Sequence, residues 1–350
     1  MASPRVGFDC SPLVVPHSRG LARVTRALVE ALERRGRIEV VRLTPEKGVP
    51  LRAWRQRELP RAVERLQLAG LHSPLSAFAL RGPGQRVQTV HELPWRHGVR
   101  ENADLRHRLW ASLATWRAAT VVCPSEHVAR DLARTALAAH GRVRVIPWGV
   151  AAVFADEPAP LVVDEVVLAR YRLGDEPFVL APGAVRPKKN LAALLHGLAE
   201  HARRGARPLR ALVTGGDTPQ LRTDLGLAAR LGLGRRVVVL DEVAEEDWPS
   251  LLRLATAVAV LSHSEGFGLP VLEALASGTP ALVPPDSAQA EVAGTAGIVV
   301  DPARPEAVAD GLARAVAERE ARRAAGVGRA RVFTWDATAE KVEALWQELA

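Results

Sequence analysis

Two carboxylates and a glycine turn lie within one short segment, residues 262–280. Glu265 precedes the turn at 266–269 and Glu273 follows it. A carboxylate accepts hydrogen bonds from vicinal hydroxyls, and backbone amides at the start of a helix bind phosphate. Together these groups predict a sugar-nucleotide site, with ribose on one carboxylate, hexose hydroxyls on the other and the diphosphate between them. In the simpler alternative, both glutamates are favourable charges near a helix N-terminus.

A strand and a helix would have to position these groups. Residues 258–261 form a short apolar run typical of a buried strand. Pro270 predicts the first position of a helix, where its missing N–H costs nothing. The free amides of residues 268–271 would then face the crevice above the strand ends, where open parallel sheets bind anions.

The sequence EGFGLPVLEALASGTP, residues 265–280, resembles the donor-site motif of the retaining glycosyltransferases of family 4, or glycosyl transferases group 1. The resemblance implies the GT-B fold, an α/β architecture of two Rossmann-like, doubly wound domains that face a central cleft. In that fold a C-terminal helix crosses back to the N-terminal domain. Glu265 would contact the hydroxyls of the donor sugar, and Glu273 would hold the ribose. The residues of the turn would contact sugar and phosphate; they are Gly266, Phe267, Gly268 and Leu269.

The same resemblance continues in GAVRPKKN, residues 183–190, after a predicted strand at 178–182. In the family a lysine directly before an asparagine contacts the donor diphosphate. Lys189 fits that position, with Arg186 as its partner and Gly183 at the start of the loop. Cations are useful there because the leaving nucleoside diphosphate gains negative charge in the transition state. The alternative is an ordinary solvated cluster of cations.

The loop after a predicted strand at 237–240 is where the family holds the nucleotide base, often through backbone groups. Glu242 and Val243 lie in this loop, so we expect them at the donor site. The base itself is not predictable, and GDP-sugars and UDP-sugars both remain open.

The N-terminal half resembles the family more weakly. A predicted strand at 5–9, a turn at 17–20 and a helix to about Arg34 open a doubly wound domain. Arg19 and Gly20 loosely match a glycine loop that lies over the donor phosphates and the acceptor. A plain turn glycine explains Gly20 equally well, since glycine readily adopts positive φ.

His91 and Glu92 follow a predicted strand at 87–90. In the family a histidine followed by an acid helps to close the donor site from the N-terminal domain, so His91 joins Glu265, Lys189 and Arg186 among the expected catalytic groups. Glu92 replaces the usual aspartate. A structural histidine is the alternative.

Three further features of this half are predicted from its sequence. Residues 100–118 favour a helix that carries Trp110, and Ser125 is typical of a helix N-cap. Trp148 stands where the family often has asparagine, which puts a polar contact from that position in doubt.

The pattern predicts two domains. Residues 1–165, together with a C-terminal helix at 335–350, would bind the acceptor, and residues 166–334 would bind the donor. The linker is expected within residues 155–177, which are rich in acids and proline.

The net charge of +8 is unevenly distributed. Residues 1–150 contain 25 Lys and Arg against 12 Asp and Glu, whereas residues 151–350 contain 22 against 27. This predicts an anionic partner for the first half: a phosphate-bearing acceptor, an acidic membrane surface or nucleic acid, of which nucleic acid has no motif support. The alternative explanation of this charge is an organism whose proteins are generally rich in arginine.

Residues 52–71 interleave arginines with Trp54, Leu59, Val63 and Leu66 around Pro60, as an amphipathic surface element or an ordinary surface helix does. No apolar run suggests secretion or membrane insertion, and Cys10 and Cys123 are not in a paired motif. We therefore expect a cytoplasmic protein that docks reversibly at the inner face of the membrane. The sequence does not predict an oligomeric state.

The resemblance implies a retaining hexosyltransferase that uses a nucleotide-sugar, with a sugar, a lipid-linked compound or a small molecule as acceptor, in polysaccharide or glycolipid synthesis. No cofactor or metal is expected, because no Asp-x-Asp motif occurs and the ten histidines show no HExxH or paired ligand spacing. The leaving phosphate would take the proton of the acceptor. A GT-B epimerase or hydrolase, and a non-catalytic nucleotide-sugar-binding protein, are the alternatives.

Overall fold

The structure is a computed structural model that describes residues 3–14, 19–100, 108, 115–134, 142–155 and 161–350. It divides into two compact units. The first unit is Met1–Gly149 with Phe333–Ala350, and the second is Val150–Val332. Each has a six-stranded sheet whose paired strands run parallel, which confirms the predicted α/β class with two Rossmann-like units.

The sheet of the first unit has the strand order β2-β1-β3-β4-β5-β6. Its strands are β1 Arg5–Asp9, β2 Glu39–Leu43, β3 Gly70–Ser73, β4 Gln85–Thr89, β5 Thr120–Cys123 and β6 Val143–Val145. Its helices are α1 Arg19–Arg35, α2 Leu51–Ala53, α3 Leu59–Arg65, α4 Glu126–Ala133 and the C-terminal helix Trp335–Leu349.

The sheet of the second unit has the order β12-β11-β10-β7-β8-β9. Its strands are β7 Phe178–Ala181, β8 Arg210–Thr214, β9 Val237–Leu240, β10 Ala257–Ala259, β11 Ala281–Val283 and β12 Ile298–Val299. Its helices are α5 Leu161–Arg170, α6 Leu191–Arg203, α7 Pro219–Arg230, α8 Trp248–Leu254, α9 Leu269–Ala276, α10 Ala288–Ala293, α11 Pro305–Ala317 and α12 Arg319–Ala330.

Helix α1 buries the predicted stripe, since Val24, Leu28 and Leu32 are all buried. The helix already begins at Arg19, so Gly20 lies in its first turn and is not among the residues with positive φ. The prediction of a turn glycine at Gly20 is therefore wrong. His17 and Ser18, which were part of the predicted turn, lie outside the described residues.

The segment from α2 to α3 is an ordinary surface element with an apolar underside. Trp54, Leu59 and Val63 are buried in one hydrophobic cluster with Leu43 of β2. Between α2 and α3 the chain makes a π-helical turn, Trp54–Glu58, in which the N–H of Leu59 donates to the carbonyl of Trp54. The chain stays helical through this wide turn and into α3, where Pro60 lies in the first turn, a position that tolerates proline.

From residue 161 on, the described part of the stretch expected to hold the linker is folded into the second unit. Helix α5 packs against α8, and Val167 at its centre is buried. Acidic residues and prolines gather at the ends of the stretch from 155 to 177, but its middle, LVVDEVVLAR, is apolar enough to dock. The second unit therefore begins at Val150, earlier than the predicted boundary at 165.

The C-terminal helix completes the first unit. Trp346 donates its indole N–H to Nδ1 of His72 in β3 at 3.2 Å, and Arg35 of α1 pairs with Glu343 at 2.8 Å. Trp110 of the helix predicted at 100–118 lies outside the described residues. No helix in the described parts of the chain is long and apolar enough to cross a membrane.

Candidate functional site

A crevice opens in the second unit where the strand order reverses. Consecutive strands β7, β8 and β9 run to one side, and the chain then crosses to place β10 on the other side of β7. Ligands bind at such points in open parallel sheets, outside the carboxyl ends of the strands. The crevice is small and open to solvent. Its lining follows β7 and β10 and includes Pro182, Gly183, Lys189, Asn190, Leu261 and Ser262.

The loop after β7 has a defined backbone. Gly183 adopts φ of +85°, a conformation that favours glycine, and donates its N–H to Oγ1 of Thr214 at 2.9 Å. The N–H of Lys189 donates to the carbonyl of Arg186 at 2.8 Å, which closes the short helix Pro187–Lys189. Asn190 then turns through a left-handed conformation into α6. The side chain of Arg186 is exposed.

This loop is joined to the loop after β10 by three contacts. The N–H of His263 donates to the carbonyl of Lys188 at 2.8 Å. The side-chain amide of Asn190 donates to the carbonyl of Leu261 at 3.3 Å. Nζ of Lys189 lies 2.7 Å from Oε1 of Glu265. The structure therefore brings together two groups that the sequence separates by 76 positions.

Glu265 is the carboxylate whose charge this arrangement controls. Its side chain and that of Lys189 are only 17% and 19% exposed. Burial by itself raises the pKa of the Glu265 carboxyl, but the charges of Lys189 and Lys188 and the hydrogen bond from Lys189 outweigh burial. The pKa of Glu265 consequently lies below its usual value, and the group is ionised at neutral pH.

The glycine turn leads into helix α9, which begins at Leu269, one residue earlier than predicted. Gly268 is the N-cap with φ of +99°, and a Cβ there would lie 3.4 Å from Gln289. The N–H of Val271 donates to the carbonyl of Gly268 at 2.9 Å. The prediction that all amides of residues 268–271 are free is therefore wrong at Val271, and Pro270 has no N–H to offer.

Glu273 is held by a partner that the sequence did not predict. The indole N–H of Trp248 in α8 donates to Oε2 of Glu273 at 2.9 Å. Glu273 is only 3% exposed, so this hydrogen bond fixes a buried carboxylate in one orientation.

The loop that was expected to hold the base is anchored by Tyr171. The hydroxyl of Tyr171 donates to Oδ2 of Asp247 at 2.8 Å and accepts the N–H of Ala244 at 3.1 Å. Ala244 directly follows Glu242 and Val243, so the backbone that carries these two residues is tied to the end of α5. Tyr171 is the only tyrosine of the chain, and this was the only feature of the sequence that singled it out.

The remaining predicted residues belong to the first unit. His91 is half-buried, and its Nε2 lies 2.9 Å from the carbonyl oxygen of Pro74. A carbonyl only accepts, so Nε2 carries the proton. Burial lowers the pKa of His91, and its ring packs against Trp148, which is itself buried. Trp148, at the position where asparagine was the expected residue, therefore makes a packing contact and no polar one to His91. Glu92, next to His91, is half-buried.

Arg19 and Gly20 start helix α1 of the first unit. Gly20 is exposed, and a Cβ built on it meets nothing within 4 Å. No close approach of a neighbour therefore requires glycine at this position.

Comparison with known protein families gives two matches that together span most of the chain. Residues 37–153 match the model described as Glycosyltransferase Family 4. Residues 169–328 match the model described as Glycosyl transferases group 1.

A curated relative is the D-inositol 3-phosphate glycosyltransferase of Corynebacterium efficiens, which is 36% identical over 177 residues. The alignment covers 47% of this chain and 41% of that protein. The corresponding protein of Nocardia farcinica is 36% identical over 214 residues. That alignment covers 51% of this chain and 46% of that protein. The chain thus spans about half the length of these curated relatives or less.

Among solved structures, sucrose-phosphate synthase from Thermosynechococcus elongatus superposes with a TM-score of 0.77 at 21% identity and covers 99% of both chains. At this level of identity the likeness concerns the fold, which is that of the GT-B glycosyltransferases.

Proposed function

We propose that this chain, which belongs to the family 4 glycosyltransferases (glycosyl transferases group 1), transfers a hexose from a nucleoside diphosphate sugar to an acceptor hydroxyl. In this proposal the anomeric configuration is retained and no metal ion takes part. The observation that carries it is the Lys189–Glu265 pair at the crevice where the strand order reverses. Such a pair offers a cation to the diphosphate and an ionised carboxylate to the sugar hydroxyls.

The groups proposed to hold the diphosphate all come from the second unit. Lys189, Arg186 and the amides at the start of α9 would hold the diphosphate and stabilise the charge that it gains as it leaves. The bond from C1 of the sugar to the phosphate oxygen breaks, and the bond from C1 to the acceptor oxygen forms on the same face. The leaving phosphate takes the proton of the acceptor hydroxyl, so no side-chain nucleophile is required.

Glu265 would bind hydroxyls of the hexose, and Glu273 would bind the ribose. The indole of Trp248 holds one oxygen of Glu273 in place. His91 and Glu92 are proposed to act from the first unit. As a neutral imidazole that donates through Nε2 to a backbone carbonyl, His91 has Nδ1 as its acceptor nitrogen.

The donor can be identified by measuring melting temperatures with a panel of nucleotides and nucleotide-sugars. A ligand that binds only the folded protein raises its melting temperature. Release of nucleoside diphosphate is then measured with and without candidate acceptors. Turnover that needs no acceptor would replace the transferase proposal by a hydrolase, and binding without any turnover would replace it by a sensor or scaffold.

Lys189→Ala tests the phosphate contact. Each hydrogen bond to a charged group contributes about 1.5–3 kcal/mol, so we expect affinity for the nucleoside diphosphate to fall by roughly 10-fold to 150-fold. Lys341→Ala is the matched control, since Lys341 is an exposed lysine of the C-terminal helix. If the two variants bind the nucleoside diphosphate with equal affinity, Lys189 is not part of the site.

We further propose that the acceptor carries phosphate. Residues 1–150 have 13 more basic than acidic side chains, and two curated relatives are named D-inositol 3-phosphate glycosyltransferase. Product formation with phosphorylated and unphosphorylated forms of the same polyol tests this point. Equal use of both forms would contradict it.

More specifically, we propose that the acceptor is linked to a lipid at an anionic membrane. Arg52, Arg57 and Arg61 are exposed, whereas Arg55 lies 3.7 Å from the buried Asp9. Because Trp54 and its apolar neighbours are buried, docking would be electrostatic, at about 1 kcal/mol for each basic residue.

Co-sedimentation with anionic liposomes at low and high salt measures this docking. A variant with Arg52, Arg57 and Arg61 neutralised is compared with a control in which the exposed Arg207, Arg230 and Arg235 of the second unit are neutralised. The proposal expects salt-sensitive binding that only the first variant loses. No sedimentation of the parent at low salt would leave a soluble acceptor.

A further inference from the structure

Two imidazoles and a carboxylate converge in the first unit. Nε2 of His97 lies 2.5 Å from Oδ2 of Asp131, and Nε2 of His127 lies 3.8 Å from the same oxygen. One nitrogen or oxygen atom from each of the three residues lies within 4.8 Å of the other two. The proposed transfer reaction uses none of them.

Local structure explains why the three groups meet. His127 and Asp131 are four residues apart on α4, so they share one face of that helix. Ser125 caps the helix and accepts the N–H of Val128 at 3.2 Å. His97 ends the short helix Pro94–His97, which Gly98 closes in the left-handed conformation. Two separate elements therefore present their ligand atoms to one point.

Burial makes a cation at this point favourable. Asp131 is 5% exposed, and a buried carboxylate is stable only when a cation or hydrogen-bond donors face it. The imidazoles are partly exposed, with 25% of the His97 side chain and 13% of the His127 side chain accessible, so an ion has a route to them. The rings stack at 5.1 Å between centroids with 23° between their planes.

We propose that His97, His127 and Asp131 bind one divalent transition-metal ion, for which Zn²⁺ is the best fit. Two imidazoles and a carboxylate are typical zinc ligands, whereas Mg²⁺ and Ca²⁺ prefer oxygen. Bonds of about 2.0–2.2 Å in tetrahedral geometry place ligand atoms roughly 3.3 Å apart. The observed 2.5 Å and 3.8 Å need to change by less than about 1 Å to reach that spacing.

In the metal-free protein His97 contacts Asp131 directly, and a bound ion would lie between them. The fourth position would hold water. The ion joins the turn Pro94–His97 to helix α4, so its role is to fix these two elements rather than to act on the donor. The proposal is independent of the proposed function, and either one can fail without the other.

The test uses the full chain without a histidine tag, stripped with a chelator and dialysed. Titration calorimetry with Zn²⁺ should show one tight site, and Co²⁺ should give the visible absorption of a tetrahedral centre. Saturating Zn²⁺ should raise the melting temperature. Loss of an outer partner of a metal ligand already weakens affinity by roughly 10-fold to 100-fold, so His97→Ala and Asp131→Asn should weaken it at least that much.

His196→Gln is the matched control, because His196 is an exposed histidine of the second unit. It should bind Zn²⁺ like the parent. If Asp131→Asn does not fold, His127→Gln gives the same test with a less buried side chain. The proposal is overturned if the parent shows no tetrahedral Co²⁺ spectrum, or if His97→Ala and His127→Gln bind Zn²⁺ as tightly as His196→Gln does.

Discussion

Replacing Lys189 by methionine removes the cation that faces Glu265 but keeps the length of the side chain. The two charged atoms are 2.7 Å apart, and less than a fifth of each side chain is exposed. Removing one partner of a fully buried pair costs about 3–5 kcal/mol. Because this pair is partly exposed, we expect the free energy of unfolding to fall by about 2–3 kcal/mol at neutral pH.

The double variant with Glu265→Gln is the informative control. It carries neither charge, so its loss of stability should be smaller than the sum of the two single losses, by roughly 1.5–3 kcal/mol of coupling energy. Urea unfolding of the parent, both single variants and the double variant gives this energy directly. If the two single losses simply add in the double variant, Lys189 and Glu265 do not interact as the structure indicates.

The dependence on pH adds a second check with a defined sign. In the parent, the pKa of Glu265 lies below its usual 4.5, so its ionised form stabilises the fold above that value, and this contribution is lost as the pH falls through the lowered pKa. In the Lys189→Met variant, we expect the effect of burial to exceed that of the remaining neighbours and to raise the pKa of Glu265. The variant should therefore recover stability relative to the parent between neutral pH and about pH 5. A stability difference that is constant over this range would refute the electrostatic argument.

The other predictions concern residues whose partners the structure defines. Glu273→Gln should weaken binding of both the free nucleotide and the nucleotide-sugar, whereas Glu265→Ala should chiefly weaken binding of the nucleotide-sugar; calorimetry with both ligands decides, and equal losses for the bare nucleotide would contradict the division of roles. Tyr171→Phe should lower the free energy of unfolding by about 1–3 kcal/mol, because it leaves Asp247 without the donor hydroxyl, and urea unfolding measures this. His72 is buried, and burial lowers its pKa to about 3. Below pH 6.5 the unfolded state therefore takes up a proton that the folded state does not, and the free energy of unfolding should fall by up to about 1.4 kcal/mol for each pH unit; a His72→Gln variant with an unchanged pH profile would argue against this.

The elements that sequence patterns specify locally could be predicted. The strands are short apolar runs bounded by glycine, proline or charge, as at β1 and β5, and the N-cap Ser125 follows from its side-chain chemistry alone. The loop before α6 and the segment before α9 were placed from their motifs, and Lys189 of the first meets Glu265 of the second because parallel strands end on the same side of a sheet.

The contacts that position the site could not be predicted in this way. The hydrogen bonds from Trp248 to Glu273 and from Tyr171 to Asp247 join residues 25 and 76 positions apart. The linker was predicted within residues 155–177 from their composition, which gave no indication of the helix that buries Val167. Such pairings depend on how helices pack, and periodicity within one helix does not specify its neighbour.

The spacing of His127 and Asp131 was visible in the sequence, but a pair four residues apart is also an ordinary helix pair. Their partner His97 comes from an element 34 positions away from Asp131. Only the fold brings the three ligand atoms together.

The hydrogen bond between Trp346 and His72 spans 274 positions, and all of the second unit is inserted between those residues. During synthesis, the sheet of the first unit emerges from the ribosome long before the helix that covers His72. The second unit, whose residues 150–332 are continuous, can fold in the meantime. Until residue 346 has emerged, the first unit exposes the surface that Trp346 will bury, and forming so distant a contact is slow. We therefore expect the second unit to be the first to become protease-resistant on a translating ribosome, although it is synthesised after the sheet of the first unit.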